Sequence, residues 1–377
     1  MSRSAGAPAP SAPSPPSLPQ AVRTYLAEVS GALRGGWTRF WFSPADPTTL
    51  AAVRICTGLL LLYVHGSSTF ELADLVGPQA AVDAPAVDRL RELTSHVIDG
   101  PGAAPRNESL GAISIWFYVH RPTVMWIVQA VFLGAIAAFT LGFWSRTASV
   151  LVWAGNVSFV HRVYLMSFGL DAITSMLTLY LMLGPTGSAL SLDRLLARRH
   201  ERGAPGRPHG PEPSVAANVV IRLIQVHMAI VYLCAGAAKL QGSAWWDGTA
   251  VYLTLMTYEL APTDMRWIAA RDWLWQSVSL AGNAFTLAFE LGFVFLVWHR
   301  LWRPIVLAAA LLMHGGIALS MGMTAFSAAM LTGCLAFVPP WVLRALIATA
   351  APRADHSLGG APHGTRGERA RARGRPR

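Results

Sequence analysis

The sequence predicts an all-α, polytopic integral membrane helical bundle with about eight transmembrane helices, and three observations lead there. Eight apolar runs approach or exceed the roughly 20 residues a helix needs to cross a bilayer. Over 377 residues the chain is 53% hydrophobic and only 13% charged, too little polar surface to cover a soluble globule of that size. The basic residues also fall mainly on alternate connections, as the positive-inside rule requires of a multi-pass chain.

Residues 1–37 open with Pro8, Pro10, Pro13, Pro15, Pro16 and Pro19 among Ala and Ser. This composition predicts a disordered N-terminal tail with neither helix nor signal peptide. Residues 38–347 hold the apolar runs, near 48–66, 122–143, 146–163, 168–184, 216–239, 273–298, 303–320 and 323–347. Residues 348–377 form a second tail, predicted to be disordered and rich in arginine.

With both termini placed in the cytoplasm of a bacterial cell, the inward side receives both tails, the turn at Arg146, the linker 185–215 and the turn at Arg300 and Arg303. About 20 of the 30 basic residues lie there. The outward side receives the long loops 67–121 and 240–272, and the acidic residues Glu71, Asp74, Asp83 and Asp88 dilute its charge. The end of the first loop, 110–120, is apolar enough to lie along the membrane surface. The formal charge of +10 is thus topological, and no nucleic-acid partner is implied. Cys56, Cys234 and Cys334 each sit within an apolar run without a near neighbour, which indicates packing rather than disulfides or thiolate metal sites.

Ionisable side chains inside a span cost several kcal/mol unless partnered, so they mark candidate sites. Arg54, Asp171, Arg222, His227, Lys239, Glu290 and His314 qualify, with His161 at the end of the third span. Arg54 paired with Asp171 or Glu290 is one structural reading of them. Lys239 is the single lysine beside 29 arginines. Unlike a guanidinium, an amine gives up its proton and can serve as a base; a lysine at a helix end also serves simply to carry its charge to the membrane surface. Gln225, Tyr232 and Lys239 follow one another at intervals of seven, a spacing that drifts only about 20° per step and draws one polar stripe along a helix. His161, Asp171, Lys239 and His314 all fall in the outer half of their spans and are expected at one depth. Zinc-protease, phosphate-loop, serine-elbow and Cys/His zinc patterns are absent from the sequence, so no metal is predicted.

The run from Arg222 through Gln225, His227, Tyr232 and Gly236 to Lys239-Leu240, followed by Trp245-Trp246-Asp247-Gly248, resembles the horizontally transferred transmembrane domain family, which includes the membrane part of vitamin K-dependent gamma-carboxylase. Asp46-Pro47 before Arg54, His161-Arg162 to Asp171, Gly184-Pro185, Ser191-Leu192-Asp193, Glu290, Arg303-Pro304 and His314 extend the resemblance over about 38–345. It implies a catalytic role for Lys239 as the base that deprotonates a quinol, with His161 assisting. Tyr232, Trp245, Trp246, Asp247, Asp171 and His314 are the substrate-binding candidates. The implied partners are membrane lipids and an isoprenoid quinone. The large lumenal part that presents glutamate in the carboxylase has no counterpart here, which argues against carboxylation of a protein. Another branch of the family matures a secreted sporulation-delaying peptide, so the second expectation is a non-enzymatic factor whose outer loops hold a secreted peptide.

Overall fold

In the computed structural model of this chain, the described residues are 17–77, 114–201, 211–256 and 266–350, with positions 80, 82, 86, 89 and 264. The predicted C-terminal tail from 351 onward, the first 16 residues and most of the first long loop lie outside them. Among the described residues there is no strand, only an isolated antiparallel bridge between Ala45 and Ser214.

In chain order the principal helices are α1 (Leu18–Phe42), α2 (Thr48–Ser68), α3 (Pro122–Leu141), α4 (Ser145–Arg162), α5 (Gly169–Leu183), α6 (Leu192–Glu201), α7 (Val215–Lys239), α8 (Asp272–Leu296), α9 (Arg303–Met321), α10 (Thr324–Cys334) and α11 (Pro340–Ala350). Neighbours in sequence pack together: α2 on α3, α3 on α4, α4 on α5, then α7 on α8, α8 on α9 and α9 on α10. The two halves join in the middle, where α10 lies against α2 and α5, and α7 also meets α5. Leu50, Leu61, Ile136, Leu177, Ile224 and Met228 are fully or almost fully buried along this seam. The outer surface is apolar instead of charged, with Ile127, Val131, Leu280, Phe295, Leu311 and Leu312 exposed. A protein whose interior and exterior are both apolar has hydrocarbon as its solvent.

Among the described residues, five helices are long and apolar enough to cross a membrane: Thr48–Val76, Pro122–Leu141, Val215–Lys239, Asp272–Leu296 and Arg303–Met321. The predicted span at 323–347 is instead broken. Thr324–Phe337 and Pro340–Thr349 meet at 115°, and counting the bent pair as one span brings the number to six. Pro339 and Pro340 cause the break: proline lacks an amide hydrogen and drives the preceding residue out of helical geometry. Val338 is accordingly extended, at φ −78 and ψ 126. The predicted span at 168–184 is a helix of 15 residues, about 22 Å at 1.5 Å per residue and short of a hydrocarbon core of about 30 Å. α4 has 18 residues, but Ser145, Arg146, Asn156, Ser158, His161 and Arg162 dilute its apolar character.

The predicted N-terminal tail also requires correction, because Leu18–Phe42 is a helix of 25 residues. Pro19 occupies its first turn, where proline's missing amide hydrogen costs nothing. No further proline occurs before Pro44, so the chain is free to continue helically. The linker 185–215 likewise contains a helix, α6.

Arg54 holds one end of the bundle together. Its side chain is fully buried and donates 2.5 Å hydrogen bonds to the carbonyls of Thr186 and Leu190. The sequence-based pairing of Arg54 with Asp171 or Glu290 is therefore wrong, since backbone carbonyls supply the acceptors. Beside it, Asp193 caps the start of α4 by accepting from the amides of Trp144 and Ser145 and from the Ser145 hydroxyl, at 3.0, 2.8 and 2.6 Å. Gly142 ends α3 in the left-handed region at φ 68. A Cβ there would lie 2.5 Å from Ser191 Cβ and 2.6 Å from Arg54 Nη1.

Gly142→Ala should therefore lower stability by about 2–4 kcal/mol, combining a strained φ with overpacking against Arg54, read as a reduced thermal midpoint in detergent. Burial alone would raise the Asp193 carboxyl, but its hydrogen bonds from Ser145 and Trp144, together with Arg54, hold it below its ordinary 3.8. A depressed carboxyl contributes stability above its unfolded pKa and loses that contribution as pH falls through the folded value. Asp193→Asn should accordingly lower the thermal midpoint at neutral pH, and the gap from wild type should close as pH falls below about 4.

Candidate functional site

α7 carries the polar stripe. Gln225 donates to the Ala336 carbonyl at 2.7 Å, and its Oε1 accepts from Arg222 at 2.8 Å. One heptad on, the buried Tyr232 hydroxyl shares a 2.8 Å hydrogen bond with His314 Nε2 on α9 and lies 3.5 Å from Cys334 Sγ on α10. The Phe289 and Phe293 rings pack on Tyr232 at centroid distances of 5.1 and 4.3 Å, and His314 Nδ1 is buried without a hydrogen-bond partner. Tyr232 thus knits α7, α8, α9 and α10 together.

A further heptad on, Lys239 ends the helix. Gly236 brings α8 close, for a Cβ there would meet Leu291 Cδ2 at 2.8 Å and Glu290 Cβ at 3.2 Å. One turn beyond this approach, Lys239 Nζ donates to Glu290 Oε1 at 2.9 Å and lies 2.9 Å from Oε2. The lysine side chain is 26% exposed and the glutamate side chain 7%, so the amine is the accessible member of the pair. The Trp245 ring stands 5.5 Å from Nζ, within cation–π range. Trp246 Nε1 donates to the Leu240 carbonyl at 2.7 Å, which folds the 240–247 segment back over the end of α7.

The predicted site residues divide. Lys239 and Trp245 come together, and Tyr232 and His314 form a second, deeper pair. Trp246 turns outward with 70% of its surface exposed, and Asp247 is exposed as well. Asp171 goes to its own helix, where Oδ2 accepts from the Phe168 amide at 2.9 Å and caps α5. His161 is half-buried in the last turn of α4, whose main neighbours are α3 and α5, whereas those of α7 are α8, α1 and α5. A shallow cleft near that turn, with room for little more than a water molecule, is lined by Asp74, Val82, Arg162 and Met166 among others. Among the described residues no group of three or more His, Cys, Asp or Glu could hold a metal ion.

Sequence reasoning offered Asp171 or Glu290 as a partner for Arg54 and named no partner for Lys239, which the structure pairs with Glu290. It also missed a buried network at the far end of α2. There His65 Nε2 donates to Asn156 Oδ1 at 3.1 Å, Asn156 Nδ2 donates to Ser175 Oγ at 3.1 Å, and Gln129 Nε2 donates to the His65 carbonyl at 3.0 Å. Histidine 65 inside an apolar run was the available signal. Gln129 and Asn156, being uncharged, escaped a search confined to ionisable side chains.

As ammonium and carboxylate, the Lys239–Glu290 pair sets a cation at the rim of an apolar bundle, 2.9 Å from a carboxylate that is placed to accept its proton. No protein-family profile, curated protein or solved structure matches this chain.

Removing one member of this pair should cost more than removing both. Glu290→Gln alone should destabilise by about 1–3 kcal/mol, less than the about 3–5 of a fully enclosed pair because Nζ is partly exposed. The Lys239→Met, Glu290→Met double variant should recover much of that loss in thermal denaturation.

Proposed function

We propose that this multi-pass protein resides in a bacterial inner membrane with both termini in the cytoplasm, and that Lys239 acts as a base on a quinol-like, lipid-soluble substrate at the outer membrane face. The observation that carries the reading is the Lys239–Glu290 contact at 2.9 Å beneath Trp245, which gives the lysine a proton partner and an aromatic wall. In the amine form, the substrate O–H bond breaks, its proton passes to the Nζ lone pair, and the resulting oxygen anion is held by the new ammonium. Glu290 keeps the proton it took from the amine until the anion is consumed, so charge and protons balance. Trp245 supplies a flat apolar surface for a ring. Substrate arrives from the surrounding hydrocarbon, since the partly exposed amine lies at the edge of the bundle.

Tyr232 and His314 support the site from below, while His161 and Asp171, seated on α4 and α5, serve the first half of the bundle in this reading. The exposed Trp246 and Asp247 favour a second reading, in which the outer loops hold a secreted peptide and Lys239 only anchors the fold.

The two readings separate in one comparison. Wild type, Lys239→Arg and Trp246→Ala proteins are purified, and extracted lipids are analysed by mass spectrometry for isoprenoid quinone. Wild type should carry quinone, and Lys239→Arg should retain roughly a tenth or less of it, a loss of about 1.4 kcal/mol in affinity. Absence of quinone from all three, with a secreted peptide captured by wild type and lost in Trp246→Ala, would replace the base reading by the peptide-factor one.

A further inference from the structure

α1 is long, helical and almost wholly exposed, yet it is strongly two-faced. At 100° per residue, Leu18, Val22, Tyr25, Leu26, Val29 and Leu33 fall within an arc of about 100°, and all six are exposed, from 37% at Val29 to 78% at Leu18. Arg23 and Arg34 border one side of that arc and Arg39 the other, with Glu28 the one acidic residue of the helix. No residue of α1 is fully buried.

We propose that α1 is an interfacial helix whose apolar face rests on an anionic lipid surface. Three observations choose lipid over a second protein. The flanks of the stripe carry three arginines to one glutamate, Glu28 beside Arg39, a net positive rim that complements anionic headgroups. Tyr25, Trp37 and Trp41 are side chains that favour the boundary between headgroups and hydrocarbon. The stripe is also continuous with the lipid-exposed belt of the bundle. Phe40, at the centre of the same arc, packs on Trp298 at 5.7 Å and lies under the Arg222 guanidinium at 4.4 Å. Just beyond Trp298, Leu301, Trp302 and Ile305 are exposed.

The anchor at this end is firm. Asn218 Nδ2 donates to the carbonyls of Phe40 and Trp41 at 2.8 and 2.9 Å, and Arg222 Nε to that of Phe40 at 3.2 Å. The last turn of α1 is thereby fixed to the first turns of α7, and the remaining length extends about 33 Å from that anchor. Gly31, Gly35 and Gly36 lower its intrinsic helix stability, so the surface it lies on helps maintain it. The function this supports is sensing of, or retention in, membrane regions rich in anionic lipid, independent of the chemistry at Lys239.

The test uses the full chain in nanodiscs of phosphatidylglycerol or of phosphatidylcholine. Amide hydrogen exchange across residues 20–39 should be at least about tenfold slower in the anionic discs. An Arg23→Gln, Arg34→Gln, Arg39→Gln variant should lose that difference while exchange in α7 stays unchanged. Equal exchange in both lipids, or protection that appears only in discs holding two copies of the chain, would overturn the proposal. The second outcome would assign the face to a self-association interface.

Discussion

A polar group placed in hydrocarbon must find a partner within the protein, and the architecture of this bundle follows from that constraint. An unpaired buried amide or hydroxyl costs about 1–3 kcal/mol and an unpaired charge considerably more. Several polar side chains inside the bundle therefore become joints between helices. Arg54 ties α2 to the Thr186–Leu190 turn, Gln225 ties α7 to the end of α10, and Asn156 with His65 ties α4 to α2. Tyr180 and His227, 2.9 Å apart, fasten α5 to α7. Apolar packing alone distinguishes poorly between a neighbouring helix and a lipid tail; these directional contacts fix which helices meet and in what register.

The same constraint gives the two ends of the bundle different characters. At the end where α1, α6 and α11 lie, arginine side chains reach backbone carbonyls and carboxylates: Arg344 pairs with Asp46, Arg303 donates to the Val297 carbonyl at 3.1 Å, and Arg54 shares its surroundings with Asp193. These are fixed, planar donors suited to holding loops in place. At the opposite end the lysine pairs with a carboxylate on the neighbouring helix. A lysine can surrender its proton where an arginine does not, so the chemical asymmetry of the chain coincides with its structural one.

Bending also has local causes. The 115° turn between α10 and α11 arises at two consecutive prolines, and the turn after α3 depends on a glycine in the left-handed region. Trp144, at φ 45, follows that glycine by two residues and begins α4, with its amide held by Asp193. A non-glycine residue in this conformation costs about 1–3 kcal/mol, and the capping carboxylate offsets part of it.

By itself the sequence determined the solvent of this protein, the approximate limits of its long apolar helices, and the singular position of Lys239 at the end of one of them. These properties reside in composition and periodicity, which act along the chain. The tertiary structure decided what a linear reading does not contain: that Glu290 belongs to Lys239 and not to Arg54, that Asp171 caps its own helix, and that His314 reaches Tyr232. It also decided that residues after Pro19 form an amphipathic helix and that the last predicted span breaks at Pro339 and Pro340. The physical reason is that a buried polar group takes the nearest partner its geometry allows, and proximity between residues 51 positions apart is created only when the helices pack.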